Sequence, residues 1–157
     1  MINQIPTPKK LKIENEAFHP VNPFIFSHNP QWASHLDFFK EMFFFANDIR
    51  LENKKGGIEL FLDENLNSGT YVIDSKDTIK LFAGDKEGVL YGLSSLIQLI
   101  DCTEGMRVQS LYIEDYPEKD YRGVMIDLGR QWHPFSKLLK YVDLCFLYKI
   151  KLPHKMK

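Results

Sequence analysis

Residues 115–134 read DYPEKDYRGVMIDLGRQWHP, and the fold of the chain is interpreted outward from this stretch. Val124–Leu128 is an apolar run interrupted only by Asp127, which is typical of a strand covered on both faces, as in parallel sheets. Gly129 ends the run and Arg130 follows it. Ligands bind at the carboxyl ends of strands in barrels and open sheets of this kind. The stretch therefore predicts a parallel strand with Arg130 at its binding end.

The composition predicts a globular chain without a charged partner. The 157 residues are 44% hydrophobic with a net charge of −1, which argues against nucleic acid as a partner. The sequence shows no signal-peptide pattern and no apolar run long enough to cross a membrane. Cys102 and Cys145 lack CxxC spacing, so we expect reduced thiols, no metal site and no cofactor. We expect a cytoplasmic location and no membrane contact.

Six short segments before residue 115 have the pattern of strands. Alternation of apolar and polar residues is strongest in the middle of the chain, and the link 74–77 predicts an antiparallel hairpin. We expect the last segment to be an edge or terminal strand. The predicted strands are Lys9–Ile13, Val21–Phe26, 58–63, 70–74, 78–83 and Val108–Ile113.

The first predicted helix, Gln31–Asn47, has a broad apolar face. Asn29 before Pro30 is a favourable start, because its side chain can accept a bond from a free amide of the first turn. Phenylalanines such as Phe38 and Phe45 widen the face beyond a single stripe. We interpret it as a core helix covered on two sides, in preference to a hydrophobic ligand site.

Two further helices are predicted. Lys86–Ile100 has helical spacing with Gly92 in its middle, where glycine costs up to about 1 kcal/mol of helix propensity. Close packing on the sheet would explain that glycine. Phe135–Tyr148 is the third helix, with Ser136 as its cap, and Lys149-Ile150 is expected to begin the next strand.

Several motifs follow one another in a fixed order. They are GVLYGLSSLIQL at 88–99, IEDYP at 113–117, YRGVMID at 121–127, then Arg130 and Pro134. In this order they resemble the glycoside hydrolase family 20 beta-N-acetylhexosaminidases. The resemblance implies a small α/β domain followed by a (β/α)8 barrel that holds the active site. A related family that removes N-acetylglucosamine from proteins is the second interpretation, but its Glu-Gly-Phe-Tyr-Gly sequence after YRG is absent here.

The resemblance assigns roles to a few residues. Arg130 corresponds to the arginine that holds the hydroxyls of the terminal sugar, and a rigid guanidinium suits that task. The alternative is a structural ion pair with Asp127 or another barrel carboxylate. His154 matches the first histidine of a His-x-His element, whereas Met156 stands at the second. Arg122, at the start of the predicted strand, is expected to be structural.

The reaction that the resemblance implies is substrate-assisted. The acetamido oxygen of an N-acetylhexosaminide attacks the anomeric carbon, one carboxylate orients it, and a neighbouring glutamic acid protonates the leaving oxygen. In the family this Asp-Glu pair lies on a later barrel strand, so no catalytic residue is assigned in this chain. The acids of the linker, Glu114, Asp115, Glu118 and Asp120, are expected to be solvated turn residues.

The expected fold class is therefore α/β in two parts. Residues 1–117 form an α+β domain with an antiparallel-rich sheet and two helices, and residues 118–157 form the first strand and helix of a truncated barrel. A complete barrel takes about 250 residues, so we expect a reading frame disrupted near Ile150 and a fragment that is inactive alone. Its exposed barrel edges predict self-association. The alternative is a free-standing carbohydrate-binding or protein-interaction domain, with the Phe-rich helix meeting a partner.

Overall fold

A seven-stranded sheet and three α-helices make up the computed structural model, which describes residues 4–127, 129–130 and 132–151. A short 3-10 turn at Pro30–Trp32 leads into the first helix. The strands are β1 Lys10–Pro20, β2 Phe24–Ser27, β3 Glu52–Asn53, β4 Ile58–Leu62, β5 Tyr71–Asp74, β6 Ile79–Ala83 and β7 Arg107–Asp115, and the helices are α1 Ala33–Asn47, α2 Lys86–Leu99 and α3 Phe135–Leu147.

The sheet is mixed, with strand order β1-β7-β5-β6-β4-β2-β3. The pairs β1–β7, β7–β5 and β5–β6 are antiparallel, and the predicted β5–β6 hairpin is confirmed. The pairs β6–β4, β4–β2 and β2–β3 are parallel, so the sheet is less rich in antiparallel pairs than expected. The last segment was expected to be an edge or terminal strand; β7 is the last strand in the described part of the chain, but it does not lie at the sheet edge. It is interior because β1, twice as long as its alternating pattern suggested, covers it.

The core lies on one face of the sheet, under α1 and α2. Alternate residues of the central strands are fully buried, including Leu60, Ile73 and Leu81, and they form one apolar cluster with Phe39 of α1 and Leu96 of α2. Such alternation is what one covered sheet face requires. The core therefore belongs to the part of the chain before residue 117.

Local signals positioned the first two helices. The Asn29 side chain accepts a hydrogen bond from the Gln31 amide, as predicted. A methyl group at Gly92 would lie 2.3 Å from the Leu81 side chain. The predicted close packing of α2 on the sheet is therefore confirmed.

The segment between β7 and α3 is not a strand in the structure. Residues 121–127, where the prediction placed most of Val124–Leu128, have no strand pairing, and Met125 is 91% exposed; Leu128 lies outside the described residues. An extended segment needs a neighbouring strand for its backbone hydrogen bonds, and none lies beside it in the described part of the chain. The expected domain boundary at residue 117 and the incomplete barrel stay predictions.

Helix α3 differs from expectation at both ends. Its N-cap is Pro134, without a side-chain hydrogen bond, so the prediction of Ser136 as the cap is wrong. At the other end Lys149 adopts a left-handed backbone conformation with φ 55°. No strand begins within the described residues 149–151. Lys149 turns the chain back toward the sheet domain.

Candidate functional site

Arg130 lies in solvent beside one carboxylate. Its side chain is 92% exposed, and its Nε lies 3.2 Å from the Asp127 carboxylate. The same carboxylate accepts hydrogen bonds from the backbone amides of Gly129 and Arg130, at 2.9 and 3.2 Å. This is the ion pair that the sequence offered as the alternative to a sugar contact. The sugar-binding role of Arg130 stays a prediction.

Trp132 and His133 follow Arg130 closely in the sequence. Trp132 is largely exposed. The His133 ring contacts the Tyr141 ring edge-on, with centroids 6.0 Å apart. His154, the second predicted substrate-binding residue, lies outside the described residues.

The acids of the predicted linker have unequal environments. Glu114 lies on β7 and pairs with Lys10, while exposed Glu118 pairs with Lys9 at 2.9 Å. Asp115 is buried, so its assignment as a solvated turn residue is wrong. It is buried because it falls on the buried phase of β7, a strand that pairs with β1 on one side and with β5 on the other.

Asp115 is the centre of a buried polar cluster. Its Oδ2 accepts hydrogen bonds from the Lys149 ammonium and the Tyr71 hydroxyl, both at 2.9 Å. Lys149 also donates to the Tyr71 oxygen at 2.6 Å. Side-chain exposure is 4% for Lys149 and 10% for Asp115. The cluster thus joins β5, β7 and the residues after α3.

Two more side chains complete the cluster. The Ser95 hydroxyl lies 2.7 Å from the Tyr71 oxygen, and Gln4 Nε2 donates to Ser95 at 2.6 Å. Burial and the nearby Asp115 charge raise the pKa of Tyr71. Burial lowers the pKa of Lys149, against the opposing effect of Asp115. Tyr71 is therefore a protonated donor at neutral pH.

A second cluster lies next to the first on α2. Tyr91 donates to Glu87 and accepts from Arg122, whose guanidinium also lies 4.5 Å from the centre of the Tyr91 ring. Lys151 pairs with Glu87 at 3.0 Å. Although burial opposes them, the hydrogen bonds from Tyr91 and Lys151 lower the pKa of Glu87. The expectation that Arg122 is structural agrees with these contacts.

A cavity of about 300 Å³ lies over the Asp115 cluster. Two carboxylates line it, from Asp115 and Glu118. A glycosidase of the usual two-carboxylate type needs one protonated carboxyl group as the acid. The hydrogen bond from Lys9 lowers the pKa of Glu118, which keeps it ionised, and the Asp115 carboxylate accepts from the Lys149 ammonium, the Tyr71 hydroxyl and the Lys9 amide. These contacts stabilise the fold and do not form a proton-transfer pair.

Asp63 and Glu64 are two acids that are neighbours in the sequence, and they do not line the cavity over the Asp115 cluster. They belong to the turn after β4, where the Asp63 carboxylate accepts hydrogen bonds from the backbone and side chain of Asn65. Glu64 is exposed. These contacts of Asp63 stabilise the turn.

The described residues contain neither a metal-binding group nor a membrane-spanning helix. Among the residues that the structure describes, no group of three histidine, cysteine or carboxylate side chains is placed to hold a metal ion. No helix within those residues has the length and hydropathy to cross a bilayer.

Sequence reasoning missed the buried cluster. Its five members come from five separate segments, and Lys149 and Asp115 are 34 residues apart in the chain. One signal was present: the Tyr71 side chain falls on the buried phase of β5, where a hydroxyl requires a partner. That signal predicts a buried acceptor near Tyr71 without identifying Asp115.

A comparison with protein families matches most of the chain. The sequence model described as "Glycosyl hydrolase family 20, domain 2" matches residues 1–116. The match ends close to the last residue of β7.

Curated relatives match about half of the chain or more. The chain is 35% identical over 95 residues to N,N'-diacetylchitobiase from Vibrio harveyi, an alignment that covers 60% of this chain and 11% of the relative. It is 37% identical over 76 residues to a beta-hexosaminidase from Akkermansia muciniphila, covering 47% of this chain and 15% of the relative. The chain therefore spans a small fraction of the length of these relatives.

Solved structures share the fold. An exo beta-N-acetylglucosaminidase of this family from Vibrio harveyi, in complex with N-acetylglucosamine, superposes with a TM-score of 0.86 at 22% identity, covering 94% of this chain and 24% of that one. A Streptomyces plicatus beta-hexosaminidase mutant in complex with its product gives 0.78 at 23% identity, covering 94% and 33%. This coverage extends beyond residue 116, so part of the segment after β7 also follows the relatives' fold.

Proposed function

The chain belongs to glycosyl hydrolase family 20 through its domain 2, and from this membership we propose that it is the front part of an enzyme that removes terminal N-acetylhexosamine residues. The observation that carries the proposal is the order of its parts. A domain 2 over residues 1–116 is followed by YRGVMID at 121–127 and then by Arg130. Relatives with this domain include a chitobiase and several beta-hexosaminidases.

Arg130 is proposed to hold hydroxyls of the terminal sugar in the complete enzyme. A guanidinium offers paired donors and keeps its charge at any working pH. In the structure its contact is a solvent-exposed ion pair with Asp127. An exposed pair of this kind is worth little, so Arg130 is free to exchange Asp127 for a ligand at small cost.

The 157 residues by themselves are proposed to be inactive. The substrate-assisted reaction needs a carboxylate for the acetamido group and a protonated glutamic acid beside it. Within the described residues, the acids that line the cavity over β7 are held by Lys149, Tyr71 and Lys9. The role of this chain is then to support a catalytic domain and to contribute Arg130 to it.

A chromogenic N-acetylglucosaminide tests this part of the proposal. The purified chain is expected to release no chromophore under conditions where a chitobiase relative, as the positive control, is active. Turnover that disappears in Asp115→Asn or Glu118→Gln variants would contradict the proposal, because it would place the reaction in this cavity. Turnover unchanged in both variants would indicate a contaminating enzyme.

Protein interaction is the second candidate function. It is favoured by the large apolar side chains that stay exposed after β7, which are Tyr116, Tyr121, Val124, Met125, Trp132, Phe135, Leu139, Val142, Leu144 and Tyr148. Exposed apolar surface on a soluble protein can mark an interaction site. Phe135, Leu139 and Val142 recur at helical spacing on α3, and we propose that the isolated chain self-associates through this α3 surface, which these three residues define. Light scattering across a concentration series measures the mass, and a monomer at all concentrations would oppose this candidate.

A sugar-binding domain is the remaining alternative for the isolated chain. Titration with N-acetylglucosamine, followed by intrinsic tryptophan fluorescence of exposed Trp132, tests it. We expect no saturable change. Saturable binding that Arg130→Ala abolishes would favour the binding-domain interpretation for the chain on its own.

A cytoplasmic location is also proposed. Both cysteines are free thiols in the structure, with Cys145 buried and Cys102 partly buried. Burial raises the pKa of each thiol, which reduces its reactivity. Thiol titration of the chain purified without reductant is expected to find two free thiols.

A further inference from the structure

Helix α3 is attached to the sheet domain at one end. Near its C-terminal end Cys145 and Lys149 are buried, whereas Phe135 and Leu139 near its start are exposed. We infer that Lys149 is a latch, in which Asp115 and Tyr71 capture its ammonium group and thereby dock the end of α3 onto the sheet.

The geometry of the latch is specific. The ammonium lies 2.6 Å from the Tyr71 oxygen and 2.9 Å from Asp115 Oδ2. A charge this deeply buried is tolerated only with such partners, since removing one partner leaves an uncompensated charge in the interior. Lys149 reaches them from a left-handed backbone conformation, which is uncommon for residues other than glycine. The contact therefore constrains both the side chain and the backbone turn.

Neighbouring contacts act on the same end of the helix. The last carbonyl groups of a helix lack partners within the helix, and the Leu147 carbonyl accepts hydrogen bonds from Ser94 at 2.9 Å and Gln98 at 3.1 Å. The Phe146 ring meets the edge of Phe38 on α1, with centroids 5.0 Å apart. These contacts hold the same end of α3 as the Lys149 contacts do.

Lys151 provides a natural comparison. It also pairs with an acid of the sheet domain, Glu87, at 3.0 Å, but its side chain is 54% exposed. Exposed pairs contribute little. Two lysines separated by one residue thus differ in burial, and only Lys149 is expected to control docking.

The latch fixes the position of Lys149 relative to β5 and β7 of the sheet domain. The closed latch itself does not depend on the proposed function. Its consequence does: in the proposed enzyme the latch sets the position from which the catalytic domain is built.

Hydrogen exchange measured by mass spectrometry tests the latch. In Lys149→Met, amides of residues 138–148 are expected to exchange at least tenfold faster, while β4 and β6 remain protected. Lys151→Met should match the unmodified chain. Asp115→Leu combined with Lys149→Met removes both charges and is expected to restore much of the protection, since an apolar pair can replace a buried ion pair.

Two outcomes would overturn the inference. One is equal exchange in the Lys149 and Lys151 variants; the other is a loss of protection spread over β4 and β6 as well as α3. If Lys149→Met does not fold, Tyr71→Phe removes one partner without leaving a charge unpaired. In this variant, the rate at which a thiol reagent labels Cys145, relative to Cys102, reports on docking. The relative rate should rise if the latch opens, and an unchanged relative rate would also refute the inference.

Discussion

At the scale of single residues, the largest difference between expectation and structure concerns Asp115. Beside Glu114 and before a charged linker it looked solvated, yet it is buried against Lys149 and Tyr71. A charged residue's burial depends on its partners, and a partner 34 positions away leaves no local pattern. Asn29 is the reverse case, because it accepts from the Gln31 amide two residues ahead and its capping role follows from local spacing.

Asp85 should be a measurable contributor to stability. Its carboxylate accepts from the amides of Gly88 at 2.8 Å and Gly69 at 3.1 Å and from the Ser68 hydroxyl. Asp85→Ala is expected to lower the free energy of unfolding by about 1–2 kcal/mol, the range of a lost N-cap. Urea titration measures the change. Asp85→Asn can still cap the helix and should lose less.

The same carboxylate predicts an acid dependence. Although burial opposes them, the hydrogen bonds from Ser68, Gly88 and Gly69 lower the pKa of Asp85 below its ordinary value of 3.8. The unfolded chain then binds more protons, so the contribution is complete above pH 3.8 and is lost as pH falls through the lowered folded value. Asp85→Asn should show a shallower loss of stability in acid. Identical acid profiles would be evidence against this assignment.

Arg130 should be dispensable for stability. Its side chain is 92% exposed and its pair with Asp127 is in solvent. Arg130→Ala is expected to change the free energy of unfolding by no more than about 0.5 kcal/mol, as measured by thermal or urea denaturation. A loss above about 1.5 kcal/mol would assign it a structural role and weaken the proposal that it holds sugar.

At the scale of elements, hydrophobic periodicity and capping residues predicted the helices and strands whose sequence patterns are local. The segments that became β4, β5, β6, α1 and α2 lie within a few residues of the structure's bounds. The prediction for β1 is too short, because apolar and polar residues stop alternating after Ile13. The structure has register shifts in the pairing of β1 with β7 at the same place. Residues 124–127 have a strand-like composition, but pairing depends on neighbours that sequence pattern cannot supply.

Gly92 couples α2 to β6, and its substitution should show this. Gly92→Ala gains up to about 1 kcal/mol of helix propensity, but the new methyl group would lie 2.3 Å from buried Leu81. We expect a net loss of about 1–3 kcal/mol, as for overpacked cores. Urea denaturation measures it. In a Leu81→Ala background the same change should cost less, whereas strictly additive effects would argue against contact.

At the scale of the whole molecule, the sheet domain has a buried apolar core, whereas the region around α3 leaves apolar side chains exposed. The domain buries its apolar residues under α1 and α2, whereas the α3 surface leaves several large side chains in solvent. The family match to residues 1–116 and the relatives' greater length fit this asymmetry. The family resemblance predicted exposed apolar surface after the sheet domain. The contacts of Lys149 with Asp115 and Tyr71 could not be predicted, because they join residues far apart in the sequence.

Self-association should be sensitive to one side of the molecule. Leu139→Glu places a charge in the α3 surface, where Leu139 is 49% exposed, and is expected to shift the mass by light scattering toward the monomer. Phe45→Glu is the matched control, because Phe45 is 86% exposed on α1, outside the α3 surface. An equal effect of both changes would show general solubilisation.

The irregular outer strand β1 limits what kind of assembly can form. Two register shifts interrupt its pairing with β7, and bulges with lysines such as Lys10 and Lys12 discourage an incoming strand. At the opposite border β3 is only two residues long. The proposed self-association through the α3 surface is therefore not expected to extend along the sheet borders. If that surface pairs with its own copy about a twofold axis, assembly ends at two copies, and we expect a dimer instead of fibres.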